Sequence, residues 1–188
     1  ISRTLAGYGR IILTDGKVAN LNLLREVFDR LAVVPQLAHK LQEKLPDSSR
    51  RHLEARDTVF APIEASITAA NGAITVRDLR VESDTFVLAG AGRLSWDGVL
   101  SSQMMLSVEP GLSGAIIGSV KELQALSDAD GRLTLPVILQ GRLPNITPLP
   151  DIDYVVSRLL MTKTREWLGD LLDRALPARG DVVRERHL

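Results

Sequence analysis

The chain contains no cysteine, which excludes a disulfide framework, a thiolate metal site and a cysteine nucleophile. Aromatic residues are almost absent at 4%, so a core has to be assembled from Leu, Ile, Val and Ala. Charge of one sign is absent too. The formal net charge is zero, nothing draws a polyanion by bulk electrostatics, and nucleic acid is not an expected partner. No apolar run is long enough to cross a bilayer as a helix, and there is no signal peptide. The sequence opens at Ile1, without an initiator Met. It therefore reads as a processed or trimmed piece of a longer protein, with any membrane anchor outside it.

Catalytic motifs are just as sparse. His39, His52 and His187 show no metal-ligand spacing, and no His-Glu-x-x-His is present. Asp128-Ala129-Asp130-Gly131 looks like the opening of a calcium loop, but Arg132-Leu133-Thr134 brings no further carboxylate, so a turn is expected. Asp151 and Asp153 stand just before an apolar helical pattern and read as caps. Gly111-Leu112-Ser113-Gly114 breaks the Gly-x-Ser-x-Gly frame, and there is no phosphate-binding glycine loop. The expectation is a chain with no catalytic residue, no metal and no cofactor.

What the sequence does have is period-two alternation punctuated by turn signals. Hydrophobic residues make up 45% of the 188 residues, enough for a core. Gly7 to Thr14 reads as a short strand ending at Asp15-Gly16, and Val18 to Leu21 as another. Leu24, Val27, Phe28 and Leu31, then Leu37, Leu41 and Leu45, repeat at helical spacing, with Pro35 between them. The polar stretch Ser48 to Asp57 is expected to be a linker, although Pro46-Asp47 could also start a short helix.

From Val59 the apolar positions alternate through Ile63 and Ile67 to Ala69 as one long strand. Asn71-Gly72 turns the chain into Ile74 and Val76, and the parity slip at Arg77-Asp78 predicts a bulge before Leu79 and Val81. After Ser83-Asp84, Phe86 and Leu88 share a face with Gly90, Gly92, Leu94 and Trp96. After Asp97-Gly98, Leu100, Met104, Leu106 and Val108 do the same. These are four consecutive strands joined by tight turns. Leu112 to Leu126 is expected to be helical, and Leu133, Leu135, Val137 and Leu139 to form a fifth meander strand in which Pro136 favours an edge. Residues 143–150 hold three prolines and read as an extended connector. The fold class is thus α+β: a curved antiparallel meander, an open groove or half-barrel, with flanking helices. It divides into a strand-rich domain over residues 1–150 with inserted helices at about 22–45 and 112–126, an amphipathic C-terminal helix over 151–176 carrying Val156, Leu159, Leu160, Trp167, Leu168, Leu171 and Leu172, and a flexible tail over 177–188.

Gly-Arg-aliphatic triplets recur at Gly9, Gly92, Gly131 and Gly141, two of them within a longer frame that ends in Asp-Gly. The sheet faces are also unusually apolar. Val87, Ala89 and Ala91 line the side opposite Phe86 and Leu88, so both sides call for cover. Either the helices supply that cover or a groove remains for an acyl chain or a partner.

The order of segments resembles the C-terminal region of AsmA-like proteins, the family that includes relatives of TamB. The resemblance is carried by Gly9-Arg10-Ile11-Ile12-Leu13-Thr14-Asp15-Gly16-Lys17-Val18 leading into Asn20 to Leu24, by Asn71-Gly72-Ala73-Ile74-Thr75-Val76-Arg77-Asp78-Leu79, and by Gly90 to Leu94 with Asp97-Gly98. Leu135-Pro136-Val137 with Gly141-Arg142-Leu143, then Pro148 and Asp151, complete it, so that it covers most of residues 7 to 155. It implies the periplasmic part of a bacterial inner-membrane-anchored envelope protein that carries phospholipid along an apolar groove during outer-membrane biogenesis. The partner would be phospholipid or another acyl-chain lipid, or another envelope protein. The groove candidates are Ile63, Ile67, Ile74, Val76, Phe86, Leu88, Met104, Leu106, Leu135 and Val137. The alternative is a structural or protein-binding β-domain of a larger periplasmic protein.

Overall fold

The computed structural model describes residues 6–14, 16–31, 34 and 36–161. The first strand, β1 (Gly7–Leu13), pairs along its whole length with β4 (Ile63–Ala70). The meander then runs through β5 (Ala73–Glu82), β6 (Phe86–Ser95), β7 (Val99–Val108), β8 (Thr134–Arg142) and β9 (Asn145–Pro150). The result is one antiparallel seven-stranded sheet of order β1-β4-β5-β6-β7-β8-β9. The turns form where the sequence signals them: Asn71 and Gly72 both take positive φ (51° and 75°), as a two-residue hairpin requires, and Gly98 lies at 85°.

The predicted bulge is present. Val76 faces Gly92 and Leu79 faces Gly90, so Arg77 and Asp78 together oppose Ala91. At the same point β5 parts from β4, whose ladder with it extends only from Ala70 back to Ile67. Gly90 fits the resulting coil because β6 lies so close to β7 that an added Cβ would stand 2.9 Å from Met104 Cα.

Four expectations are corrected. The long strand from Val59 is two elements: β3 (Thr58–Phe60) pairs with β2 (Gly16–Val18) in a separate two-stranded ribbon, and the chain enters β4 only after Pro62, leaving Val59 exposed. Pro62 has no N–H for a ladder, and the preceding Ala61 N–H donates to Glu82 O instead (2.8 Å). The expected linker is largely a helix, α3 (Asp47–Glu54), with Pro46 before its first turn. Residues 143–150 are not merely a connector, since β9 pairs with β8, and its prolines sit on an outer edge where a missing N–H is tolerated. Pro136 does not mark an edge strand. It faces Met105 on β7, and on its other side, beyond the last registered β8–β9 pair Val137–Pro150, its carbonyl still accepts from Asp151 N–H (3.0 Å).

The helices gather on one face at one end of the sheet. They are α1 (Leu23–Asp29), α2 (Leu37–Lys44), α4 (Pro110–Ser119), a 3-10 helix (Lys121–Leu126) and α5, helical over 152–161 within the described residues. The rest of the predicted C-terminal helix, including Trp167, Leu168, Leu171 and Leu172, lies outside the described residues, as do the predicted tail, Asp15 and Pro35. Leu24, Val27, Phe28, Leu31, Leu37, Leu41, Ile116, Leu123 and Val155 bury themselves against Phe86, Leu88, Met104, Leu106, Leu135 and Val137. In α5 the residue at the core is Val155, with Tyr154 and Leu159 beside it, while Leu160 is exposed.

Polar side chains fix the helices to the sheet. Asn22 caps α1 by accepting from Arg25 N–H (3.0 Å), and its amide donates to the carbonyls of His52 and Ala55, tying α3 to α1. Buried Thr58 accepts from Leu23 N–H and donates to Leu21 O. Buried Ser113 donates to Val108 O and accepts from Leu133 N–H, joining α4 to the strands on either side of it in the chain.

Candidate functional site

Cross-strand partners point to the same side of a sheet, so the register defines two faces. The helix-bearing face carries Gly9, Ile11 and Leu13; Ile63, Ala65, Ile67 and Ala69; Ile74, Val76, Leu79 and Val81; and the alternating positions from Phe86 to Leu94. It continues through Leu100 to Val108, Leu135 to Gly141 and Ile146 to Pro150. Among the described residues, no strand position on this face is charged, and Ser102 is its only polar one, its hydroxyl donating to Leu139 O (3.2 Å). The opposite, outer face holds Arg10, Glu64, Arg80, Glu82, Arg93, Gln103, Gln140 and Arg142. Three Gly-Arg triplets obey this split: Gly9, Gly92 and Gly141 face the helices, and Arg10, Arg93 and Arg142 face away. Gly131-Arg132 is instead part of a turn.

The ten groove candidates divide by position along the strands. Phe86, Leu88, Met104, Leu106, Leu135 and Val137 are buried beneath the helices as ordinary core. Ile63 is half-buried at the border of that cluster. Ile67, Ile74 and Val76 lie further along, toward the Asn71-Gly72 hairpin, half-buried and outside the cluster. There they are joined by Ile11, Leu94, Leu100 and Ile146, which the candidate set lacks although they share its parity. The open apolar strip is thus only the hairpin end of the face. Its other end is closed by the helices.

Several carboxylates are engaged in local structure. Asp128 accepts from the N–H groups of Asp130 and Arg132 and from the Thr134 hydroxyl, which makes the acidic triplet a turn and holds the carboxyl below its usual range. Asp151 accepts from Tyr154 N–H at the start of α5. Glu109 caps α4 through Gly111 and Leu112 N–H, and those two bonds lower its pKa. Asp97 is lowered by the Ser95 hydroxyl and by Arg142, an ion pair that locks the β6–β7 turn to β8. His39 lies beside Glu43 one helical turn on, and His52 beside Asp84. His187 is outside the described residues. Among the described residues, no three metal-ligating side chains converge, and no helix is long and apolar enough to cross a membrane.

Concavities among the described residues lie mostly beside the strip. One of about 580 Å³ opens where β4 and β5 part, lined mainly from the outer face by Tyr8, Arg10, Glu64, Thr68, Arg77 and Asp78, with Arg10 and Glu64 ion-paired. Another, of about 260 Å³, sits among α1, α2 and α3 beside Phe28, Leu45, Arg50 and Leu53. No family model, curated protein or solved structure matches the chain.

Proposed function

We propose that the chain is a non-catalytic, lipid-binding end segment of an AsmA-like envelope protein, located in the periplasm, in which the sheet offers an apolar strip to acyl chains and the helices close one end of it. The observation that carries this reading is the uncharged helix-bearing face, continuous from the packed core to the half-buried positions Ile67, Ile74, Val76, Leu94 and Leu100. Acyl chains need no directional contacts. Burial at about 25 cal/mol per Å² of apolar surface is sufficient to hold them. A strip lacking charge is what such a ligand requires and what polar catalysis does not. Native mass spectrometry of the purified chain is the test. Co-purifying phospholipid is expected, and a spectrum with no lipid adduct under gentle desolvation removes the proposal.

The burial of six groove candidates under the helices favours the second reading, a structural or protein-binding β-domain. In that case the exposed part of the strip is a surface for another envelope protein, and delipidated and native material behave alike.

A further inference from the structure

The two edges of the main sheet are guarded differently. β9 carries Pro148 and Pro150 on its outer edge. Prolines there deny an incoming strand its hydrogen bonds. β1 has no proline and no bulge, and among the described residues it pairs with β4 alone. Its apolar side chains are open: Tyr8 is 96% exposed, Ile12 64% and Leu13 52%. An edge strand with open apolar side chains, no proline and Arg10 as its one charge is a template for another strand.

We infer that in the 188-residue chain this edge pairs with β1 of a second copy, antiparallel about a two-fold axis through Ile11, to give one continuous sheet. A two-fold perpendicular to the sheet keeps both helix-bearing faces on the same side, so residues of equal parity must meet. Two registers use most of the strand. Centring on Arg10 sets two guanidinium groups directly opposite each other, which is destabilising. Centring on Ile11 sets Ile11 against the partner's Ile11, and Gly9 against the partner's Leu13, where the glycine leaves room for the leucine. On the outer face it sets Arg10 against the partner's Ile12 and Tyr8 against the partner's Thr14. No like charges stand directly opposite, each Arg10 is ion-paired with Glu64 of its own copy, every exposed apolar residue of β1 gains cover, and the chain's zero net charge adds no bulk repulsion. The strip of each copy then continues across the junction through Ile11 and Leu13.

The test uses the whole 188-residue chain. Sedimentation velocity over a dilution series should show a reversible monomer–dimer equilibrium. Ile12→Lys places a lysine opposite the partner's Arg10 on both sides of the two-fold axis, and within its own copy opposite Glu64. It should abolish the dimer while leaving the monomer's Tm unchanged or raised. The chain has no cysteine, so single introduced cysteines report the register. Under mild oxidant Ile11→Cys should form a covalent dimer. Tyr8→Cys should not, because the two Tyr8 positions lie six residues apart along the paired strands, about 20 Å, beyond the reach of a disulfide. A parent chain that stays monomeric at every concentration overturns the inference. So does a dimer that survives Ile12→Lys, or cross-linking at Tyr8 in place of Ile11.

Discussion

At the residue scale, Gly90 is closely constrained. It sits beside the bulge, facing Leu79 on one side and Met104 on the other. Any Cβ there meets the β7 backbone, which cannot rotate away as a side chain would. Gly90→Ala should therefore cost about 1–3 kcal/mol, the range for overpacking, and lower Tm measurably. Gly114, around which an added Cβ meets nothing, should accept alanine with no loss. Glu109 supplies a second residue-scale prediction. Its carboxylate accepts from Gly111 and Leu112 N–H at the start of α4, so its pKa is lower in the folded chain than in the unfolded one. A depressed carboxyl contributes stability that is fully present above its unfolded pKa and disappears as pH falls through the folded one. Glu109→Ala should thus destabilise the chain by about 1 kcal/mol at neutral pH, in the range of lost caps. The difference should shrink to nothing as urea melts are repeated below the ordinary carboxylate range.

At the element scale, Asn22 joins two helices that have few other ties. Removing its side chain deletes the cap of α1 and both bonds to α3. Asn22→Ala should cost about 1–2 kcal/mol, and hydrogen exchange should show α3 losing protection before the sheet does. This helix is also where the sequence was least legible. Asp47 to Glu54 buries no residue fully, so it has no apolar stripe to betray it, and its place depends on donors from Asn22, distant in the chain. The strands β4 to β7 were legible because their signals are local: alternation, Asn71-Gly72, Asp97-Gly98 and the parity slip at Arg77-Asp78 all act between neighbours. β9 was hidden for the opposite reason. Three prolines argue against a strand until it is known that the segment lies on an edge, and edge position is a property of the whole sheet. Likewise Val59 and Ile63 keep one parity in sequence yet belong to different sheets, because Pro62 breaks the ladder between them.

At the scale of the whole molecule, the sequence specified which residues share a face but not how far the helices reach along it. That reach depends on helix length and docking, and it separates core from open strip among side chains of identical chemistry. Glutamate substitution can read the boundary directly. Leu106 is fully buried, and a carboxylate there would be desolvated without a partner, a cost of several kcal/mol. Against a total stability of about 5–15 kcal/mol, Leu106→Glu should be unfolded or nearly so. Ile74 and Val76 are only half-buried, on the uncovered part of the same face. There a carboxylate can reach water, so Ile74→Glu and Val76→Glu should fold with losses of about 1 kcal/mol. If acyl chains lie on the strip, those two variants should lose labelled-lipid binding. Ile138→Glu, on the outer face, should keep both fold and binding. Thermal melts paired with lipid-binding titrations on these four variants check the argument. Retained lipid binding in folded Ile74→Glu and Val76→Glu would show that any bound lipid lies elsewhere, and the apolar strip would then be a surface for protein.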